Sequence, residues 1–167
     1  MKSKCKVGFW YKFQYRSPAG ILLDEWEEHN IMPTEGMNLM LGNALAGTTP
    51  STTWYLGIYQ NNYAPQATDT ASAFAGSGVA NEFTGYTAAT RPQWVPGSVA
   101  AGSVDNTASP AVYSFNTAGT IYGGFMQSTS GKGSLTGVLI SAVQFSSARV
   151  IGASGTFTVT AGMALSN

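Results

Sequence analysis

The chain has 167 residues, the length of one ordinary domain and enough to bury about two-thirds of the surface its unfolded form would expose. Eight Lys and Arg balance eight Asp and Glu, so the net charge points to neither nucleic acid nor an anionic membrane as a partner. Ten of those sixteen charges lie in the first 35 positions, and the other 132 residues carry only Asp69, Glu82, Arg91, Asp105, Lys132 and Arg149, about 5% where soluble domains carry roughly 25%.

At the N-terminus, Cys5 is the only cysteine, which excludes an intrachain disulfide and a thiolate zinc site. The start is basic, but Val7 to Tyr15 is aromatic and interrupted by Lys12 and Gln14, unlike the apolar region of a signal peptide. Export by an N-terminal signal is therefore not expected. Nor does any run approach the roughly 18 apolar residues needed to cross a bilayer. In the same stretch Val7, Phe9, Tyr11, Phe13 and Tyr15 alternate with Gly8, Trp10, Lys12 and Gln14, the period of two of a strand. Pro18 and Gly20 suit a turn, so Ile21 to Glu27 reads as the returning arm of a hairpin. Residues 1–30 thus form a hairpin or arm attached to a packed β-body over 36–167, with the charged arm expected to make salt-sensitive contacts.

A helix is predicted over about 35–46. Thr34 suits the N-cap and Glu35 the positive end of the helix dipole. Met37, Met40, Leu41, Ala44 and Leu45 follow at three- and four-residue steps, with Gly47 at the C′ position. Gly42 inside it costs about 1 kcal/mol relative to Ala, so packing against a sheet is expected to hold the helix in place. Thr53 to Gln60 reads as a strand ending at the turn pair Asn61-Asn62. From Tyr63 to Ser109 the pattern is weak, and long loops with short strands are expected. Strand signals return at 111–116, 120–128, 138–145 and 156–161. In the last, Phe157, Val159 and Ala161 face one way and Thr156, Thr158 and Thr160 the other. The predicted fold is mainly β, a single-domain antiparallel β-sandwich, of which the jelly roll is one version, with one short amphipathic helix.

Catalytic signals are sparse. His29 and Cys5 are the sole residues of their kinds, and no Gly-x-Ser-x-Gly elbow, phosphate loop or spaced calcium-loop acids occur. Gly123-Gly124 and Gly131-x-Gly133 fit bulge and turn roles. Asp24, Glu25, Glu27 and Glu28, beside Trp26 and Trp10, make the one enzymatic alternative, a glycan hydrolase using Glu25 and Glu28. A charge patch facing Lys2, Lys4 and Lys6 across the hairpin explains the same acids more simply. No enzyme activity, catalytic residue, cofactor or metal is expected. Trp10, Tyr11, Tyr55, Tyr59 and Trp94 are too many aromatics for one face of a small sheet to bury. Phe9, Trp10, Tyr11, Phe13, Trp26, Tyr63 and Trp94 are the candidate interface anchors.

Six segments, in this order, resemble a family of small virion proteins of tailed phages: Asn30-Ile31 leading into Thr34 to Asn38, Trp54 to Gly57, Arg91 to Trp94, Asp105 to Ser109, Ile121 to Phe125, and Gln144 to Arg149. The resemblance covers about residues 8–162. The chain departs from that pattern at Ala153-Ser154-Gly155, where Gly-Asp is expected before the last strand. The resemblance implies a virion structural role, with capsid decoration or cement as the leading version and a tail-fibre or tail-adaptor subunit as the alternative. It implies as partners the major capsid protein and copies of the chain itself, a homo-oligomer on the virion after assembly in the host cytoplasm, and it carries no catalytic residues. A polar surface with few charges suits such packing against neighbours. A carbohydrate-binding module using exposed Trp and Tyr is the alternative from another class.

Overall fold

A computed structural model describes residues 6–51 and 53–166. Two antiparallel sheets pack face to face as a β-sandwich, joined by two helices and by long loops. In chain order the elements are β1 Lys6–Arg16, β2 Leu22–His29, α1 Thr34–Leu45, β3 Trp54–Tyr59, α2 Ala71–Phe74, β4 Gln93–Trp94, β5 Ser103–Asp105, β6 Ala111–Ser114, β7 Gly119–Gln127, β8 Leu139–Ile151 and β9 Thr156–Ser166. One sheet runs β2-β1-β9, and both β5 and β6 pair with the free side of β9. The other runs β4-β3-β7-β8. Among the described residues no helix is long and apolar enough to cross a membrane.

The first hairpin forms as its alternation and its Pro-Gly turn predict, and Gly20 takes the left-handed conformation there. It is not an appendage to the body, however. β1 is an interior strand, paired along its whole length with β9, from Lys6 opposite Ser166 to Arg16 opposite Thr156. Such pairing of the first strand with the last buries Phe9, Tyr11 and Phe13 between the sheets, against Phe157, Val159 and Ala161 of β9. Leu56 and Ile58 of β3, Met126 of β7 and Phe145 of β8 close the same core from the opposite sheet. Phe13 meets Phe145 edge-on at 4.7 Å and stacks with Phe157 at 5.5 Å, the offset geometries that aromatic quadrupoles favour.

The second sheet is buried on both faces. Tyr59, Phe125, Leu139 and Ala142 point away from the main core and are covered by Ala71, Phe74, Ala75 and Ala80 from the 61–82 segment. That segment, most of it in the stretch expected to form long loops with short strands, is thus a lid over the sheet and carries the four-residue α2. Tyr59 donates its hydroxyl to the Val143 carbonyl at 3.0 Å under this lid. The pairing of β7 with β8 shifts register between Ile121 and Gly123, the bulge expected of the glycine pair.

Helix α1 departs in two respects from what its sequence suggests. Pro33 occupies the N-cap, with no side-chain hydrogen bond, and Thr34 is the first helical residue. Glu35 instead turns its carboxylate onto backbone donors, accepting from Ala71 N at 2.8 Å and Leu139 N at 2.7 Å. The contact with the sheet is made by Gly36, whose absent side chain lets the helix sit on Ile140; a Cβ there would lie 2.8 Å from the Ile140 backbone. Met37, Leu41 and Leu45 consequently face solvent, Leu45 at 81% exposure. Gly47 takes the predicted left-handed conformation beyond the last turn.

Candidate functional site: an uncharged surface around a methionine-lined cleft

All six charges of the charge-poor region are engaged within the fold. Arg91 and Glu82 form a bidentate pair that is essentially inaccessible to solvent, with Nε to Oε1 at 2.9 Å and Nη2 to Oε2 at 2.6 Å. Arg91 also donates to the carbonyls of Thr129 and Ser134, and Glu82 accepts from Gly133 N. This knot ties the 82–91 segment to the loop between β7 and β8, satisfying the donors and acceptors that a buried ion pair must satisfy. Lys132 donates to the Tyr86 carbonyl at 2.6 Å and lies 3.9 Å above its ring. Asp69 accepts from the Tyr63 hydroxyl at 3.0 Å and Gln66 N at 2.7 Å. Asp105 accepts from Thr107 N at 2.8 Å. Arg149 sits 4.4 Å over Trp26 and 3.0 Å from Asp24.

The surface of the charge-poor region is therefore wetted by hydroxyls, amides and backbone, with large apolar side chains among them. Its most apolar concavity is a cleft of about 370 Å³. Met40 and Ala44 of α1 form one wall, Phe9 and Met163 of the paired β1 and β9 another, and Trp54 of β3 and Trp94 of β4 a third, with Met126 and Ile140 also lining it. Asn43 and Ser51 are the polar groups at the cleft. Trp94 is fixed by its indole N–H, which donates to the Ala161 carbonyl at 2.8 Å and so links the edge strand of one sheet to the other sheet. Val7 and Leu165 are opposite each other in the β1–β9 ladder, two residues beyond Phe9 and Met163. Both are exposed, as is the Met37-Leu41-Leu45 stripe of α1, so the apolar lining continues outward. Unbranched Met side chains adapt to irregular apolar partners, and an extended apolar patch on a soluble domain marks a contact site.

The candidate anchors separate into distinct groups. Phe9 and Trp94 are buried but wall the cleft. Tyr11 and Phe13 are fully buried in the core and closed to any partner, Tyr11 with its hydroxyl 2.6 Å from Ser141 Oγ. Burial pushes the Tyr11 hydroxyl pKa far up. Trp26, on edge strand β2, packs inward against Phe13, Phe145 and Phe157. Tyr63 is half-buried, stacked edge-on against Phe74 in the lid. Only Trp10 lies on the outer face of its sheet. Of the other aromatics proposed as surplus, Tyr59 is buried and Tyr55 half-buried. Met40, Met126 and Met163 carry no sequence signal as a group; three positions spread over the chain meet only in the folded state.

The acidic residues also fall elsewhere than expected. In the β1–β2 ladder Asp24, Glu25, Glu27 and Glu28 face Tyr15, Gln14, Lys12 and Tyr11. Lys2, Lys4 and Cys5 lie outside the described residues, and the described partner is Lys12, 3.1 Å from Glu25. Hydrogen bonds from Gln14 and Lys12 hold the Glu25 carboxyl below the usual range. Glu25 is exposed, whereas Glu28 turns to the opposite face, where it accepts from Ser146 N at 2.7 Å. An odd spacing on a strand puts two side chains on opposite faces, so Glu25 and Glu28 do not flank one bond as a hydrolase pair must. Among the described residues no group of His, Cys, Asp and Glu could hold a metal ion. No protein-family model matches the chain, and no curated protein is similar to it.

Proposed function

We propose that the chain is a structural protein of a tailed-phage virion, a capsid decoration or cement protein that docks on the assembled head lattice through the methionine-lined cleft and its apolar rim. The observation that carries this reading is that each of the six charges in residues 36–167 is engaged by a partner within the fold, three of them buried. It leaves the surface of that region with little of the mixed charge that keeps a free monomer apart from its neighbours. The ordered segments that resemble phage virion proteins supply the identity of the partner, the major capsid protein with neighbouring copies of the chain. A protein that binds only assembled subunits stabilises the lattice by mass action.

The test is to add purified protein to undecorated heads. The proposal expects saturable binding and greater resistance of the heads to heat. An Ala44→Glu substitution, which places a carboxylate in the cleft wall, should abolish binding while leaving the protein folded. Absence of binding by the unsubstituted protein would remove the cement role.

A further inference from the structure

The outer face of the β2-β1-β9 sheet carries a second, chemically different cleft of about 250 Å³, lined by Trp10, Lys12 and Gln14 of β1, Thr158 and Thr160 of β9, and Thr107 and Pro110 of the β5–β6 connection. We propose that this cleft binds a neutral pyranose unit of a glycan. Trp10 lies opposite Gly162 in the ladder, and its ring covers that bare glycine so closely that a Cβ there would come within 2.6 Å of the indole. Shielding a strand glycine accounts for the ring's seat. It does not account for the Thr158 and Thr160 hydroxyls that share the cleft with it, whereas the Gln14 amide there is donated to Glu25 and the Thr107 side chain bonds Asp105. An aromatic wall for the apolar C–H face of a sugar, with hydroxyl groups beside it, is the chemistry of a site for a polyhydroxylated ring.

The charge balance selects a neutral sugar. Lys12 is the cation of the cleft, and its ammonium is engaged 3.1 Å from Glu25. Glu27 stands opposite Lys12 in the ladder. Arg16, also on β1, donates to the Gly20 carbonyl and to Gln14 Oε1, so Glu25 and Glu27 are matched by two cations that are already engaged, and among the described residues the cleft keeps no free cation for a uronic or sialic acid. The site lies on the outer face of its sheet, so it can be filled whether or not the apolar cleft is occupied, and it does not depend on the virion reading.

The experiment is a two-dimensional NMR titration of the intact protein with the methyl glycosides of glucose, galactose, mannose and N-acetylglucosamine, and with glucuronate. At least one neutral glycoside should shift the Trp10 indole and the Thr107, Thr158 and Thr160 amides saturably, with Kd on the order of millimolar, the weak range expected of one sugar ring. Trp10→Ala should abolish those shifts, and Thr160→Val, which keeps the shape of the strand surface, should weaken binding roughly tenfold. No saturable shift with any neutral glycoside, shifts undiminished in both variants, or tighter binding of glucuronate would overturn the proposal.

Discussion

Arg91 meets Glu82 in a two-point ion pair sealed from solvent, nine residues apart in a segment whose sequence shows almost no regular pattern. The pair sits where the lid segment, the loop after β7 and the ring of Phe125 converge, with the guanidinium 5.2 Å from that ring. A buried pair of this kind contributes little net energy relative to apolar residues, but losing one partner leaves a bare charge in the interior. Arg91→Ala is expected to lower the unfolding free energy by about 3–5 kcal/mol. Urea denaturation checks this, and the double replacement Glu82→Leu with Arg91→Met should recover most of the loss.

The connection between Ala100 and Ser103 offers a change in the opposite direction. Ala100 and Ser103 exchange backbone hydrogen bonds at 3.0 and 2.9 Å across Ala101 and Gly102, both with positive φ. Such a turn favours Asn or Gly at its first central position, and Ala there carries a left-handed strain of roughly 1–2 kcal/mol. Ala101→Gly should therefore raise the thermal midpoint, read by calorimetry.

Gly36 fixes where α1 sits. Because a Cβ would fall 2.8 Å from the backbone of Ile140, Gly36→Ala must lift the helix from β8. Helix propensity alone would favour Ala by about 1 kcal/mol, so the expected net destabilisation isolates the packing contact. Hydrogen exchange should show faster opening of α1 and β8 in that variant while the β1–β9 pairing stays protected.

Acid should remove two local contributions. Asp105 is held below its ordinary carboxyl range chiefly by the Thr107 N–H, and Glu25 by the Gln14 amide and then Lys12. A depressed folded-state value means the stabilisation is present above the unfolded-state pKa and is lost as the pH falls through the folded one. Carbon-detected NMR titration should place both midpoints below the model-peptide values, and Asp105→Asn should flatten the dependence at that position.

The strands were legible because their side chains alternate: Phe157, Val159 and Ala161 are buried as their period predicts, and the turn at Pro18-Gly20 closes the first hairpin. What alternation does not encode is which strands pair at long range. Phe9, Tyr11 and Phe13 read as interface anchors because nothing local announces that β1 lies between β2 and β9. The helix shows in its apolar spacing, which places Met40 against the core but not Met37, Leu41 and Leu45, because the close contact with the sheet is made by Gly36. Arg91 and Glu82 had one available signal, that two charges stood alone in an uncharged stretch.

The central claim is that the charge-poor surface and its methionine-lined cleft serve docking onto a phage head, and cosedimentation of the purified protein with undecorated heads tests it most directly. Attachment through an apolar cleft should be saturable, should hold its affinity between about 50 and about 500 mM salt, over which charge pairing would be screened, and should vanish in Ala44→Glu. No cosedimentation, binding that collapses with salt, or full binding by that variant would contradict it.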